Sequence, residues 1–407
     1  MKNKIYYGRA VYNNSEIKAV NSVLKNQSLS LIDGKNVKKL EKKIAKIFGK
    51  KYGLMVNSGS SANLLALSSL NLKPGGEIIT PTLTFSTTIA PIYQLGFKPH
   101  FVGVLDNMFV ADPKQINNAI NKNTVAVIIP NLLGNIANWL QISKICKRKN
   151  IPLIEDSADT IGYKIKNRNT SKLSDIVTNS FYASHIISGA GFGGIVCFNN
   201  KRSYEKAKLL RGWGRSSAIF NEKENIESRF NIKIDNIDYD KKYVFENFGY
   251  NFLPSEISAA FALEQLKKLK KNIFLRNKNF NLLNKFFTKY NKIIKTPKTY
   301  KFIKTPWLAY PLVIKKNNNF NRKNLQIFFE KNNIQTRTIF TGNILRQPLM
   351  KNKKYKKQPN SETIANDVMK NGILIGCHQE LKKSDLNYIF KIFKKFLKLK
   401  KYQFNNL

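Results

Sequence analysis

Residues 52–70 read YGLMVNSGSSANLLALSSL, and the character of the sequence changes within this stretch. Residues 52–57 form a short apolar run typical of a buried strand, whereas residues 62–70 have the apolar content of a helix. The small and hydroxyl-bearing residues between them suit a tight connection from a strand end to the first turn of a helix. The stretch therefore predicts a strand, a turn and a helix in direct succession.

The same succession continues along the chain. Further short apolar runs predict strands at residues 77–80, 98–102, 125–130, 152–156, 177–182 and 194–198. Helical patterns at residues 86–95 and 139–148 lie between several of these runs. Strands that alternate with helices predict an α/β fold, with a mainly parallel sheet covered by helices.

From about residue 274 the sequence becomes richer in Lys and Asn, and strand-like runs become rarer. One such run, WLAYPLVI, occupies residues 307–314. We predict a large domain at residues 1–273 and a smaller C-terminal α+β domain at residues 274–407. The segment KNKKYKKQPN at residues 351–360 predicts a charged, flexible loop.

The formal net charge of +45 could indicate a polyanionic partner such as nucleic acid. The alternative is a compositional bias, because Lys, Asn and Ile are all abundant and share AT-rich codons. No zinc-finger, RRM or helix-turn-helix motif accompanies the charge, so we expect no nucleic-acid partner. A positive field would still attract an anionic sugar nucleotide.

Cysteine use and hydropathy exclude other classes of protein. Cys146, Cys197 and Cys377 are scattered without a CxxC motif, so neither a disulfide framework nor a metal site is indicated. The apolar runs are too short to cross a bilayer, and residues 1–10 lack a signal-peptide core. We therefore expect a cytoplasmic protein without a membrane partner.

The turn at residues 57–63, NSGSSAN, has two interpretations. Small residues at the start of a helix let backbone N–H groups approach an anion, and the hydroxyls of Ser60 and Ser61 can add hydrogen bonds. The turn would then bind a phosphate group. The alternative is an ordinary serine cap of the helix.

Three further side chains lie at or after strand ends. Phe85 could stack on a planar ring or belong to the core. Asp156 could hold a pyridine nitrogen protonated or cap a helix. His185, shortly before the glycine-rich residues 189–194, could be a general base that titrates near neutrality or a structural histidine.

The order of these motifs resembles that of the DegT/DnrJ/EryC/StrS sugar aminotransferases, over about residues 7–393. Gly249, Tyr250 and Asn251 match the GYN segment of that family, and residues 336–348 match a segment typical of its sugar 3-dehydratase branch. The resemblance implies an aspartate-aminotransferase-like, type I PLP-dependent fold. Pyridoxal or pyridoxamine phosphate (PLP or PMP) would be the cofactor.

The resemblance also implies which residues bind the cofactor phosphate. Gly59, Ser60 and Ser180 would hold it within the chain. Asn251 corresponds to an asparagine that reaches the phosphate of a neighbouring subunit in the family. We therefore expect a homodimer with composite sites.

At the cofactor ring, Phe85 would stack on one face and Asp156 would pair with the pyridine nitrogen. Asp159 would lie near the ring hydroxyl, where aminotransferases usually have Gln or His. His185 occupies the position of the lysine that links covalently to PLP. Imidazole forms no such stable link, so the cofactor would be held non-covalently and could act as PMP.

Histidine at this position is typical of the 3-dehydratase branch. The resemblance implies that the C3 hydroxyl of a nucleotide-linked 4-keto-6-deoxyhexose is removed in dideoxysugar or surface polysaccharide (lipopolysaccharide) biosynthesis. His185 would be the base, and an amino donor such as glutamate would regenerate PMP.

The branch contains CDP-linked and GDP-linked types, and the CDP type carries an iron–sulfur cluster. Its cysteines correspond to Ala158 and to the Ser216-Ser217-Ala218 stretch here, so we expect no iron–sulfur cluster. The GDP type is favoured. The glycine turn at residues 188–194 is one residue longer than is usual in the family.

Two alternatives remain open at this point. The first is an ordinary nucleotide-sugar aminotransferase, or an inactive descendant of one. The second is a different class, either a regulatory module that binds a sugar nucleotide or a basic nucleic-acid binder.

Overall fold

A computed structural model of the chain describes residues 3–26, 30–169, 172–219, 226–317 and 319–400. The α-helices are α1 (Asn14–Lys25), α2 (Lys35–Phe48), α3 (Gly59–Ser68), α4 (Ser86–Gln94), α5 (Pro113–Ala119), α6 (Trp139–Arg148), α7 (Lys201–Arg211), α8 (Ile226–Phe230), α9 (Glu256–Lys267), α10 (Leu269–Thr288), α11 (Arg322–Lys331), α12 (Thr363–Asn371) and α13 (Lys383–Leu399). Short 3₁₀ turns occupy Leu132–Gly134, Ser216–Ala218, Lys241–Tyr243, Ile344–Arg346 and Pro348–Met350.

The strands are β1 (Tyr52–Val56), β2 (Glu77–Pro81), β3 (Lys98–Val102), β4 (Thr124–Pro130), β5 (Leu153–Asp156), β6 (Lys164–Ile165), β7 (Ile176–Ser180), β8 (Gly194–Phe198), β9 (Lys233–Ile234), β10 (Ile237–Asp238), β11 (Ile294–Lys295), β12 (Ile303–Lys304), β13 (Tyr310–Ile314), β14 (Lys356–Lys357) and β15 (Gly372–Ile375). The predicted strands are confirmed to within a few residues at their ends.

An eight-stranded sheet forms the centre of the molecule, in the order β1-β8-β7-β5-β4-β2-β3-β14. Its pairs are parallel except those of β8, which is antiparallel to β1 and to β7. Successive side chains of β4 enter different cores, with Val127 on one face and Ile128 on the other. Helices cover both faces, which confirms the predicted mainly parallel α/β fold.

The C-terminal part contains a three-stranded antiparallel sheet, β11-β13-β15, packed against α10 to α13. Its core is continuous with residues of the first part, including Ile5, Leu83 and Leu133. The C-terminal part thus combines helices with an antiparallel sheet, and its division from the first part as a separate domain stays a prediction. The boundary expected between residues 273 and 274 falls inside α10, so its position stays a prediction.

The predicted loop at residues 351–360 is wrong in its middle. Lys356 and Lys357 form β14, the outer strand beside β3, and the Gln358 amide donates to the Phe101 carbonyl at 2.8 Å. The Lys356 ammonium lies 2.5 Å from the buried carboxylate of Glu77. Lysines protect sheet edges from further pairing, so a charged sequence alone does not exclude an edge strand.

The mutually parallel strands β1, β2, β5 and β7 end at the same edge of the sheet, where α/β proteins bind ligands. This edge brings together the segments that follow residues 56, 81, 156 and 180. Among the helices described here, none is long and apolar enough to span a bilayer.

Candidate active site

The first segment at this edge is the turn into α3. Ser58 caps the helix, because its Oγ accepts the Ser61 amide at 3.1 Å. The Ser61 hydroxyl donates to Asn57 Oδ1 at 2.7 Å and is therefore occupied within the turn. Ser60 is exposed, and the amides of Gly59 and Ser60 have no acceptor within the helix. The serine cap thus leaves two backbone amides available for an anion, and both interpretations of the turn are compatible with its geometry.

Gly59 allows β7 to approach this turn. A Cβ atom on Gly59 would lie 2.6 Å from Ser180 Cβ and 3.0 Å from its Oγ. Ser180 Oγ accepts the Tyr182 amide at 3.2 Å, which leaves the hydroxyl hydrogen available for a ligand. Two free amides and a free hydroxyl hydrogen around a glycine fit the oxygens of a phosphate group.

Asp156 ends β5 and is almost completely buried. Its Oδ2 accepts from Asn63 Nδ2 at 2.9 Å and from Thr88 Oγ1 at 2.8 Å, and its Oδ1 accepts the Ala158 amide at 3.1 Å. Burial raises the pKa of Asp156 in the cofactor-free protein. No helix begins in the described residues that follow, 157–169, so the alternative of a helix cap is wrong.

The sequence interpretation missed the support of Asp156. Asn63 is buried in α3, and its Oδ1 accepts from Thr178 Oγ1 at 2.6 Å. One signal was available, since an amide within an apolar, mostly buried helix requires a polar partner. Thr88, on α4, carried no such signal.

Phe85 precedes α4 and has 47% of its surface exposed, which excludes a core position. Its ring contacts Phe340 edge to face, with centroids 5.7 Å apart. Phe340 has a φ of +43°, a left-handed conformation that is strained for an aromatic residue. The exposed face of Phe85 remains available for stacking on a planar ligand.

His185 and Asp159 face each other. His185 Nδ1 lies 3.3 Å from the Ser180 carbonyl oxygen, and its Nε2 lies 3.9 Å from Asp159 Oδ1. Because a carbonyl can only accept, Nδ1 carries the hydrogen in the neutral ring, and Nε2 keeps its lone pair. This tautomer is the one that a base at Nε2 requires.

Both pKa values depart from the ordinary range. Burial lowers the pKa of His185 to about 4 and raises the pKa of Asp159 to about 7. The expectation that His185 titrates near neutrality is therefore wrong for the cofactor-free protein. At neutral pH the imidazole is uncharged, so the two residues do not form an ion pair.

Asn251 lies beside the phosphate turn of its own chain. Its side chain is exposed, and its carbonyl oxygen accepts from Asn57 Nδ2 at 3.5 Å. The glycine turn packs on the same residues, because the Gly193 amide donates to the Asn57 carbonyl at 3.0 Å. The φ of +124° at Gly193 suits glycine alone, whereas Ala190 adopts a φ of +54°.

Every residue expected at the site thus lies at one edge of the sheet. The contacts Gly59–Ser180, Ser180–His185 and His185–Asp159 join three of the segments. Within the described residues, no three His, Cys, Asp or Glu side chains are grouped to hold a metal.

The DegT/DnrJ/EryC1/StrS aminotransferase family matches residues 11–394. The chain belongs to this family. The resemblance first seen in the order of its motifs is confirmed over nearly the same residues.

Three proteins of known name or structure show what the chain is similar to. GDP-4-keto-6-deoxy-D-mannose 3-dehydratase of Escherichia coli O55:H7 is 31% identical over 395 residues, 95% of this chain and 98% of that protein. The lipopolysaccharide biosynthesis protein RfbH of Salmonella typhimurium is 31% identical over 370 residues, 88% and 84% of the two chains. The crystal structure of GDP-4-keto-6-deoxymannose-3-dehydratase with a trapped PLP-glutamate geminal diamine has a TM-score of 0.85 at 29% identity, and covers 95% and 99%.

The low pKa of His185, whose side chain is 15% exposed, leads to a first prediction, on stability. The folded protein binds His185's proton only near pH 4, whereas the unfolded chain binds it near pH 6.5, so stability falls as the pH decreases between these values. His185→Asn removes this dependence. Between pH 7 and pH 4.5 the cofactor-free variant should lose less unfolding free energy than the wild type, by about 2–3 kcal/mol.

Urea unfolding at the two pH values measures this difference. Asp159 titrates in the opposite sense, because its raised pKa favours the folded state as the pH falls, but that contribution is common to both proteins. Equal losses in variant and wild type would mean that His185 is hydrated and titrates normally.

Proposed function

We propose that this chain binds PLP or PMP and removes the C3 hydroxyl of a nucleotide-linked 4-keto-6-deoxyhexose, in dideoxysugar or lipopolysaccharide biosynthesis. The observation that carries the proposal is His185, a histidine with a free Nε2 at the position of the family lysine. The similarity to GDP-linked 3-dehydratases over almost the whole chain supports the same conclusion.

The side chains around the site fit this cofactor. The amides of Gly59 and Ser60 and the hydroxyl of Ser180 would hold the phosphate, and Phe85 would cover one face of the ring. Asp156, fixed by two donors at Oδ2, would receive the pyridine N–H at Oδ1. When bound, the cofactor supplies an amine for the 4-keto group and a ring that accepts electrons.

His185 would take a proton at Nε2 from the carbon next to the ring and return it later. Nδ1 stays bonded to the Ser180 carbonyl throughout, which fixes the orientation of the imidazole. A pKa of about 4 makes the imidazole a weak base in the cofactor-free protein. The negative charge of a bound phosphate would raise that pKa towards neutrality.

The substrate proposal is tested by incubating PMP-loaded protein with GDP-, CDP- and dTDP-linked 4-keto-6-deoxyhexoses, followed by mass spectrometry. A 3-dehydratase gives a sugar one oxygen atom lighter. An aminotransferase gives an amino sugar that keeps its C3 hydroxyl, and this product would contradict the proposal. We expect turnover with glutamate as the amino donor. We also expect no stoichiometric iron in the purified protein, because the chain's cysteines are few and scattered.

We also propose a homodimer in which Asn251 reaches the cofactor phosphate of the neighbouring subunit. Loss of one hydrogen bond to a charged phosphate costs about 1.5–3 kcal/mol, so Asn251→Ala should weaken PLP binding by about 10-fold or more. The matched control is Asn247→Ala, at another exposed asparagine of the same segment.

Fluorescence titration with PLP measures the cofactor affinity, and light scattering measures the oligomeric state. A dimer with impaired PLP binding in Asn251→Ala alone supports composite sites. An active monomer, or equal effects of both substitutions, contradicts them.

A further inference from the structure

A buried arginine lies behind the site. Arg276, on α10, is completely buried, and its Nη1 donates to the carbonyls of Trp307 at 3.2 Å and Leu308 at 3.0 Å. Its Nε and Nη2 find no hydrogen-bond partner among the described residues. Burying a guanidinium without full pairing costs free energy, so the fold must use this residue for more than filling space.

Arg276 is hydrogen-bonded to residues 305–308, and this segment is in turn hydrogen-bonded to the Leu133 turn before α6. The Leu308 amide donates to the Leu133 carbonyl at 2.8 Å, and Thr305 Oγ1 donates to the Gly134 carbonyl at 2.6 Å. Leu133 has a φ of +61°, which is uncommon for a leucine. These two hydrogen bonds hold the turn in that strained conformation.

The turn that contains Leu133 also fixes the side chain of Asp159. The Leu133 amide donates to Asp159 Oδ2 at 2.8 Å, which leaves Oδ1 facing His185 Nε2 at 3.9 Å. The next residue is fixed by the same segment, since Thr160 Oγ1 lies 3.2 Å from Thr305 Oγ1. A continuous series of hydrogen bonds therefore connects Arg276 to the carboxylate that faces His185.

We propose that Arg276 is a positioning residue, which fixes the orientation of Asp159 towards His185 Nε2 through residues 305–308 and the Leu133 turn. The proposal rests on the proposed role of His185 as a base. It assigns a task to a side chain that touches neither cofactor nor substrate.

The positive charge of Arg276 also affects the pKa of His185. Burial is the main reason that the pKa of His185 is low, and the positive charge of Arg276 lowers it further. Removing the charge while keeping the volume should raise the pKa of His185. Loss of packing alone would not produce this change.

Arg276→Met tests the proposal by removing the charge and the donors while keeping a long apolar side chain. The matched control is Phe280→Leu, one helical turn further along α10, where the ring stacks on Trp307 with centroids 4.6 Å apart. This control loosens the packing on residues 305–308 but keeps the hydrogen bonds. Thr305→Val, which removes the Thr305 hydroxyl at constant shape, is a second variant should Arg276→Met fail to fold.

The first readout is a pH titration of the cofactor-free proteins by ¹⁵N-histidine NMR. The chain has 3 histidines, so the His185 signal is identified by its loss in His185→Asn. Arg276→Met should raise the pKa of His185 and change the ratio of its two neutral tautomers, because Asp159 Oδ1 is no longer held facing Nε2. Thr305→Val should change that ratio with a smaller pKa change, and Phe280→Leu should leave both as in the wild type.

The second readout separates kcat from cofactor affinity. Arg276→Met and Thr305→Val should lower kcat for dehydration by about 10-fold or more, with a smaller effect on PMP binding, to which the phosphate contacts contribute most. The proposal is overturned if Phe280→Leu, at equal loss of Tm, reproduces these effects, or if neither test variant changes the His185 signal. Because the NMR readout needs no turnover, its outcome is independent of whether the dehydratase assignment holds.

Discussion

His185→Asn should bind PMP as tightly as the wild type and lose 3-dehydration by about 10²–10⁴-fold, the usual contribution of a positioned general base. Asparagine is polar and of similar size but has no nitrogen that takes up a proton near neutrality. The proposed phosphate site at Gly59, Ser60 and Ser180 is untouched, so we expect cofactor binding to survive.

Single-turnover rates of PMP-loaded protein measure this effect. The matched control is His100→Asn, since His100 is buried on β3, 3.3 Å from Glu77 and next to the outer strand β14. Both substitutions replace a histidine by asparagine, and only the first should remove activity.

His185→Lys provides a complementary observation. A lysine at this position should bind PLP covalently, so that borohydride reduction leaves a stable adduct and 3-dehydration is impaired. Wild-type protein should give no such adduct. If it did, and His185→Asn were fully active, the 3-dehydratase assignment would be wrong.

The sequence could predict those parts of the site that follow directly from strand ends. Gly59, Asp156 and Ser180 lie together because parallel strands end at one edge of the sheet, and the order of motifs identified the family. His185 was found in the same way, as a departure from the lysine of the motif.

The features that tune the site could not be predicted in this way. The proposed action of Arg276 on Asp159 passes through the contact between Thr305 and Gly134, which are 171 residues apart in the sequence, so no local pattern encodes it. The pKa of His185 depends on how completely the fold buries it, and a neighbouring glycine turn says nothing about that. The edge strand β14 was missed for a related reason, because its lysines are stabilised by Glu77 of another strand.

Asp156→Asn should show the second large effect, a loss of about 10²–10³-fold in dehydration with the fold intact. An amide keeps the volume and its oxygen can still accept from Asn63 and Thr88, whereas its NH2 group no longer accepts the Ala158 amide and carries no charge to hold the pyridine nitrogen protonated. This loss in rate is the usual effect of removing one positioned electrostatic group from a buried site. Asp175→Asn, an exposed carboxylate before β7 that accepts the Leu153 amide at 2.8 Å, is the matched control.

A measurement of stability distinguishes the proposed electrostatic role of Asp156 from a purely structural role. Because burial raises the pKa of Asp156, the cofactor-free wild type loses stability as the pH rises above the usual carboxyl range near 4, and the neutral amide does not. At pH 8 the cofactor-free variant should therefore unfold at a temperature no lower than the wild type, although its dehydration rate has collapsed. A variant that lost stability and activity in proportion would instead assign Asp156 to the Asn63–Thr88 network alone. The negative charge of Asp156, which burial disfavours in the cofactor-free protein, is the charge that the proposed role at the pyridine nitrogen would require.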